Sequence, residues 1–231
     1  MQLAKPRIDV GLNTHRLEPL LDFWQNTVGL PLDHVLPIRR GVKQHRHELL
    51  GSILKINHYR EPMRDIPPSG YRELLIARDG VTGPRALRDP DGNRVTLVPS
   101  GTDRIERIGI RLEVRDIAAH RRFFKEAMQL EEIAADSAEA AFRAGDSVIL
   151  LNRSASALDD ARLEGAGWRY LTFQVFQVDR EHAGAISRGA IEGLAPVTLG
   201  SVARISMIRD PDGNWIELSQ RASITGSLTA E

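Results

Sequence analysis

The sequence predicts an α+β protein built from two consecutive halves, each made of strand–helix–strand–strand–strand modules, with the first half shortened. Two observations carry this prediction. A turn-and-strand motif occurs twice, as LRDPDGNRVTLVPS at 87–100 and as IRDPDGNWIELSQ at 208–220. A strand-and-helix pattern also occurs twice, at 7–33 and 107–133. Internal repeats of this kind indicate a duplicated structural unit.

The turn motif has a direct physical explanation. In Asp-Pro-Asp-Gly-Asn, proline presets the second turn position, glycine accepts a positive φ, and the aspartate side chains accept hydrogen bonds from backbone amides. The alternating runs that follow, RVTLV and WIELS, are typical of half-buried strands. The two copies differ at one position of interest, where the first carries Thr96 and the second carries Glu217.

The two strand-and-helix segments each begin with an alternating strand and continue with apolar residues three or four apart. This spacing predicts an amphipathic helix with one buried face. The apolar positions are Leu17, Leu20, Leu21 and Trp24 in the first copy and Ile117, Phe123, Phe124 and Met128 in the second.

The spacing of the repeats locates the shortened part. Phe23 and Phe123 are 100 residues apart, whereas Asp89 and Asp210 are 121 apart, so the second half holds 21 additional residues between these landmarks. Those residues contain a helix-like run, REHAGAISRGA, and a strand-like run that have no equivalent in the first half. We therefore predict domains at 1–101 and 102–231, joined by the short polar linker PSGTDRIER, with the second module of the first domain truncated.

Composition narrows the classes of function. The 231 residues carry a formal net charge of zero, which gives no reason to expect nucleic acid or a membrane surface as partner. The absence of cysteine excludes disulfides, thiolate metal sites and cysteine nucleophiles. The first residues hold no apolar stretch of signal-peptide length, so we expect a cytoplasmic protein.

These motifs resemble the vicinal oxygen chelate superfamily, which includes glyoxalase I, extradiol ring-cleaving dioxygenases, methylmalonyl-CoA epimerase and bleomycin-resistance proteins. The resemblance rests on both DPDGN hairpins and on the stretches GLNTHRLEPLLDFWQNTVGLPL and IRLEVRDIAAHRRFFKEAMQLEE. It implies two glyoxalase-like domains in which paired βαβββ modules curl mixed sheets around a cavity. It also implies a small-molecule substrate, a divalent metal held by His or Gln and Glu, and leaves a homodimer open.

Strand alternation assigns one face of each strand to the core and the other to a cavity. The superfamily's metal-ligand positions, carried over by the resemblance, fall on Asp9, Lys55, Glu73 and Thr96 in the first half and on Gly109, Leu150, Tyr170 and Glu217 in the second. Neither set keeps a His/Glu quartet or a two-His-one-carboxylate set. We therefore expect no cofactor, with a divalent metal as the weaker alternative. His45 and His47, together with Asp9 or Glu73, are the residues that could bind it.

The first cavity is predicted to hold Lys55 between two carboxylates, Asp9 and Glu73, beside Asn13 and Asn57. The hypothesis is that the Lys55 ammonium replaces the metal as electrophile and that Glu73 or Asp9 accepts a proton. The alternative is a charge network that fills a vestigial cavity, because ion-pair networks often mimic functional sites.

In the second cavity, Glu217 is predicted to face Tyr170. The functional interpretation is a carboxylate base with a phenol donor, with Arg111 binding an anionic substrate and Trp215 forming a wall. The alternative is a Tyr–Glu hydrogen bond and an aromatic core residue. His15 and His120, in or near the helices, are predicted to face solvent.

The residues favour an enzyme acting next to a carbonyl as an isomerase, epimerase or lyase without the usual metal ligands. Two alternatives remain open. One is a metal-dependent glyoxalase or ring-cleaving dioxygenase with unusual ligands. The other is a non-catalytic small-molecule binding or resistance protein. Neither the substrate nor the cavity in use follows from the sequence.

Overall fold

The computed structural model describes residues 1–158, 160–226 and 228, which form four consecutive modules. The first module comprises β1 (Leu3–Thr14), α1 (Leu17–Asp22), β2 (Leu32–Arg39), β3 (Val42–Leu49) and β4 (Ser52–Tyr59). The second comprises β5 (Tyr71–Ala77), β6 (Arg85–Arg88) and β7 (Arg94–Val98). It lacks the helix and one strand, as the spacing of the repeats predicted.

The other two modules are complete. The third comprises β8 (Ile108–Val114), α2 (Ile117–Arg122), β9 (Glu131–Ala135), β10 (Glu139–Ala144) and β11 (Ser147–Arg153). The fourth comprises β12 (Gly167–Val175), α3 (Val178–Ser187), β13 (Ile191–Leu199), β14 (Ala203–Arg209) and β15 (Trp215–Arg221), followed by the single turn α4 (Ala222–Thr225). The predicted α+β class with tandem βαβββ modules is confirmed.

The modules pair across the halves of the chain rather than within them. One sheet has the order β13-β14-β15-β12-β1-β4-β3-β2, and so joins the fourth module to the first. The other has the order β6-β7-β5-β8-β11-β10-β9, and joins the second to the third. Antiparallel pairs β1–β12 and β5–β8 make the two junctions. The residues at 101 and 102 divide the sequence repeats, but each sheet takes strands from both sides of that division.

The predicted apolar faces of the strands are buried. Ile8, Val10 and Leu12 of β1 and Leu54 and Ile56 of β4 are all 1% exposed or less. They contribute to one apolar core that both sheets and the helices share.

The helices α1 and α2 end in the same way. Each passes into a wider π-helical turn, at Phe23–Thr27 and Phe123–Ala127. The paired aromatic residues at the start of these turns are buried in the core. In the described ranges, no helix combines the length and the apolar character that a membrane-spanning helix requires.

The first DPDGN turn holds the second module against the first. Its Asp89 carboxylate accepts hydrogen bonds from the backbone amides of Asp91 and Asn93. From outside the turn, the Thr14 hydroxyl donates to Asp91 at 2.6 Å and Arg16 donates to the Pro90 carbonyl at 2.9 Å. The turn therefore anchors the junction between β1 and α1.

The second DPDGN turn does the same for the fourth and third modules. Asp210 accepts from the amides of Asp212 and Asn214, while Arg115 donates to Asp212 at 2.9 Å. His120 of α2 lies with its Nε2 3.3 Å from an Asp210 carboxylate oxygen. Each turn thus connects the two sheets, which explains why a duplicated fold retains both copies.

The prediction that His120 faces solvent is wrong, because the turn covers it completely. His15 is exposed as predicted.

Candidate active site

A cavity of about 540 Å³ lies within the curl of the eight-stranded sheet. Its deep part is lined by buried polar side chains: Asn13, Gln44, Arg46, Lys55, Asn57 and Tyr170, together with the partly buried Glu217. Its outer part is lined by apolar side chains from two hairpins, β2–β3 and β13–β14: Leu36, Ile38, Val42, Leu199, Val202, Ile205 and Met207. We call it the central cavity.

Lys55 of β4 lies at the centre of the polar part. Its Nζ donates to the Thr172 hydroxyl at 2.7 Å and lies 3.2 Å and 3.3 Å from the two carboxylate oxygens of Glu217. The Lys55 side chain is 3% exposed and that of Glu217 is 14% exposed. Strands β1 and β12 separate β4 from β15, so the two charged groups meet because the sheet curls.

Gly11 of β1 makes room for this arrangement. It is the neighbour of Lys55 in β4 and of Tyr170 in β12. A Cβ atom at Gly11 would lie 2.1 Å from a ring carbon of Tyr170, closer than any real contact. The absence of a side chain therefore allows the Tyr170 ring to lie over the middle of the sheet, with the Lys55 ammonium 5.5 Å from the ring centroid.

Asp9 is fully buried beneath Lys55 and already has its hydrogen bonds satisfied. It accepts from Lys5 Nζ at 2.8 Å, from the Ile53 amide at 2.9 Å and from Gln174 Nε2 at 3.1 Å. Burial would raise the pKa of Asp9, but the charges of Lys55 and Lys5 outweigh it and the pKa is lowered. Asp9 is therefore a fixed negative charge that partly compensates Lys55.

Burial lowers the pKa of Lys55, and the charges of Glu217 and Asp9 oppose that effect without cancelling it. Burial raises the pKa of Tyr170, and the Glu217 charge raises it further. The Tyr170 hydroxyl accepts from Asn57 Nδ2 at 3.1 Å and from Gln44 Nε2 at 3.4 Å. Because both neighbours act as donors, the phenol keeps its own proton free to donate.

Two arginines complete the deep part of the cavity, and sequence reasoning missed both. Arg46 of β3 lies beside Lys55 in the strand register and donates from Nη1 to Gln44 Oε1 at 2.8 Å. Arg221, at the end of β15, also lines the cavity. The alternation of β3 could have revealed Arg46, since Gln44 and Arg46 share the face opposite His45 and His47.

The predicted grouping of Glu73 with Asp9 and Lys55 is wrong. Glu73 belongs to the other sheet, where its carboxylate accepts from the Thr96 hydroxyl at 2.6 Å and from Arg111 Nε at 3.0 Å. The prediction that Arg111 lies in the Glu217 cavity is also wrong, because Arg111 belongs to β8 of the same seven-stranded sheet. Alternation predicts the face of a strand correctly but does not specify which strand lies next to it.

The concave face of the seven-stranded sheet is partly filled by the chain itself. Ile105 follows the linker and packs, fully buried, with Leu75, Val148 and Leu150. Gly109 accommodates it, since a Cβ at that position would lie 2.5 Å from Ile105 Cδ1. The pocket that remains beside this sheet, at about 330 Å³, is smaller than the central cavity.

Trp215 and the histidine pair lie outside the central cavity. Trp215 donates from its indole nitrogen to the Ala161 carbonyl at 2.8 Å and borders a different pocket, so its predicted place as a wall of the Glu217 site is wrong. His47 lies 3.1 Å from the amide nitrogen of Gln25, on the helix side of β3. Burial lowers the pKa of His47 to about 4.

The donor set of the central cavity does not fit a divalent metal. Glu217 is the one carboxylate among the lining residues that the structure describes, and the ammonium of Lys55 lies directly against it. Across the described part of the chain, no three His, Cys, Asp or Glu side chains are grouped so as to hold a metal ion. A cation that must share this space with a fixed ammonium would be repelled.

Paired βαβββ modules curling around a cavity with a polar interior define the class of protein. Residues 104–218 match the family model described as the Glyoxalase/Bleomycin resistance protein/Dioxygenase superfamily. The chain belongs to this superfamily, as its motifs predicted. Among curated proteins, none matches the sequence significantly.

Solved structures share the fold along most of the chain. Glyoxalase I from Zea mays is similar with a TM-score of 0.72 and 14% identity, over 93% of this chain and 92% of that one. A point mutant of the same maize enzyme gives 0.73 and 13%, over 96% of each chain. A putative dioxygenase from Bacillus subtilis subsp. subtilis str. 168 gives 0.70 and 13%, over 99% and 91%. At these identities the likeness establishes the fold alone.

Proposed function

We propose that this protein is an enzyme that transfers a proton at a carbon next to a carbonyl group, as an isomerase, epimerase or lyase. The observation that carries the proposal is the contact between the Lys55 ammonium and the Glu217 carboxylate, 3.2 Å apart inside the central cavity. A buried acid–base pair facing a cavity is the arrangement that such chemistry requires.

Lys55 acts as the electrophile. An ammonium has three N–H donors. Thr172 and Glu217 accept two of them, which leaves one for the carbonyl oxygen of a substrate. The positive charge then stabilises the enolate that forms when the neighbouring carbon loses its proton, and the buried setting strengthens that interaction.

Glu217 accepts the proton and returns it to the same or the adjacent carbon. It is preferred over Asp9, because the Asp9 carboxylate is fully buried and already accepts three hydrogen bonds. The Tyr170 hydroxyl is a second donor for substrate oxygens, and Asn57 and Gln44 hold it in place.

Deuterium exchange tests this function with a panel of compounds in place of one chosen substrate. The protein is incubated in D₂O with ketones and with 2-oxo and 3-oxo carboxylates, and the carbon-bound protons are followed by NMR. We expect at least one compound to exchange about 100-fold faster with the wild type than with Lys55→Met or Glu217→Gln. The exposed Glu131→Gln variant is the matched control and should exchange at the wild-type rate.

The same experiment separates the alternatives. Exchange at the wild-type rate by folded Lys55→Met, or no exchange of any compound by the wild type, would contradict the proposal. Loss of exchange after treatment with a chelator, and its return with a divalent metal, would favour the metal-dependent alternative.

A non-catalytic binding protein is the second candidate, and the apolar outer part of the central cavity favours it. Compounds that raise the melting temperature and are recovered unchanged, with no deuterium incorporated, would support it. We further propose a cytoplasmic location and a small-molecule ligand; whether the chain forms a homodimer can be measured by light scattering.

A further inference from the structure

We infer that the central cavity takes an amphiphilic carboxylate: an anionic head held by Arg46 and Arg221, and an aliphatic or aryl body held by the apolar hairpins at its mouth. The inference rests on the same site as the proposed function and names the class of ligand. It concerns binding, however, and does not require that Lys55 and Glu217 be catalytic.

The first step is the lack of a counter-charge for Arg46. This residue is only 4% exposed, and a buried charge is costly unless an opposite charge pairs with it. Its one side-chain partner is the neutral Gln44, its Nε has no partner, and it makes no ion pair with any described residue. Lys55 next to it differs, because Glu217 and Asp9 both compensate that ammonium.

The second step is the presence of another cation close by. Arg221 lines the same cavity, and within the described part of the chain its side chain has no hydrogen bond or ion pair. Burial and the charge of Arg46 lower the pKa of Arg221, and the charges of Glu217 and Asp9 oppose them without cancelling them. Two guanidinium groups that line one cavity, neither in an ion pair with a described residue, form a receptor for an anion, which they can hold with paired N–H donors.

The third step is the excess of positive charge over the whole cavity. Among the described residues, four cationic side chains line it against the one carboxylate of Glu217: Arg39, Arg46, Lys55 and Arg221. One bound monoanion would lower this excess by one charge. We favour a carboxylate over a phosphate because Glu217 faces the same space and would repel a doubly charged group more strongly.

The fourth step concerns the rest of the ligand. Ile38, Leu199 and Val202, at the tips of the β2–β3 and β13–β14 hairpins, are each close to half exposed. They border the cavity above the arginines, where a ligand body would cover them. An apolar body of several carbons in contact with these side chains is therefore expected to add to the affinity.

Isothermal titration of the wild-type chain with sodium hexanoate and with hexanamide tests the anionic head. We expect hexanoate to bind at least tenfold more tightly than the neutral amide of the same shape. Arg46→Gln and Arg221→Gln should each bring that ratio close to one, while the exposed Arg94→Gln keeps the wild-type ratio. Circular dichroism establishes that each variant is folded. Arg46→Lys keeps the positive charge but loses the paired N–H donors of the guanidinium, so it should give an intermediate ratio of the two affinities.

A series of carboxylates tests the apolar body. From acetate to octanoate, affinity should rise about fourfold for each methylene until the cavity is filled. Equal binding of hexanoate and hexanamide, an unchanged ratio in both glutamine variants, or a flat series would overturn the inference. So would hexyl phosphate binding tenfold more tightly than hexanoate. Hexanoate has no ketone group, and its carbon-bound protons are too weakly acidic for the proposed proton transfer. These results are therefore independent of the exchange experiment, and either proposal can fail alone.

Discussion

At the scale of single residues, the central cavity combines a charge that is compensated with one that is not. Lys55 has the charges of Glu217 and Asp9 to compensate it, whereas among the described residues the Arg46 side chain has only the neutral Gln44 as partner. A buried charge without a partner costs free energy in the empty protein, commonly several kcal/mol before relaxation. Sites that sacrifice stability in this way are typical of ligand binding.

Replacing Arg46 by Met should therefore stabilise the protein in the absence of ligand. Methionine keeps much of the stem volume and removes the uncompensated charge, so we expect the free energy of unfolding to rise by about 1–2 kcal/mol. Urea denaturation followed by circular dichroism measures the change. Arg94→Met, at an exposed position, should stay within about 0.5 kcal/mol of the wild type. A clear loss of stability in Arg46→Met would show that its bond to Gln44 outweighs the cost of burial.

At the scale of elements, the two DPDGN turns bind modules that belong to different sheets. The second turn places Asp210 and Asp212 against His120 of α2, which is fully buried. Burial alone would lower the pKa of His120, but the Asp210 carboxylate outweighs it and the pKa lies above its ordinary value of 6.5. The His120 ring nitrogen Nδ1 also lies 2.9 Å from the Asp116 carbonyl within the same helix.

This contact should make the stability depend on pH with a definite sign. A group whose pKa is raised by folding binds its proton more tightly in the folded state. Its stabilisation is complete below pH 6.5 and is lost as the pH rises through the raised value. We expect His120→Asn to lose about 2 kcal/mol of unfolding free energy at pH 5.5 and clearly less at pH 9. Urea denaturation of both proteins across this range provides the measurement.

A constant difference between the two proteins at all pH values would contradict a charged His120. His15→Asn is the matched control, because His15 is exposed and should change little at either pH.

At the scale of the whole molecule, the two halves of the chain depend on each other. The eight-stranded sheet needs β1 of one half and β12 of the other, and the seven-stranded sheet needs β5 and β8 in the same way. The central cavity takes Lys55 from the first half and Glu217 from the second. Neither half alone contains a complete sheet or a complete site.

Fragments 1–101 and 102–231 should therefore fold together and not separately. Each fragment alone would expose unpaired strand edges, which favour aggregation or self-association. We expect circular dichroism and size-exclusion chromatography to show a native-like 1:1 complex when the fragments are produced together. Two stable, monomeric, well-folded fragments would contradict the observed pairing. A chain cut after residue 66, between the first and second modules, keeps all the strands of both sheets. It should therefore retain more native structure by circular dichroism than either fragment alone.

The sequence by itself determined the local features of this protein. The repeated turn, the amphipathic helices and the alternating strands depend on neighbours within a few residues. The truncated second module followed from comparing the spacing of the two repeats. Alternation also put Asn13, Lys55, Asn57, Tyr170 and Glu217 on cavity-facing sides.

Only the tertiary structure decided which of those sides face each other. The four modules are similar, so their strand edges could pair in more than one order, and no local pattern distinguishes pairing within a half from pairing across halves. That choice joined Lys55 to Glu217 and separated Lys55 from Glu73, and it placed Arg46 beside the pair. The junction between β1 and β12 depends on contacts between residues more than 150 positions apart, whose energies come from packing the whole molecule and not from any short stretch of the chain.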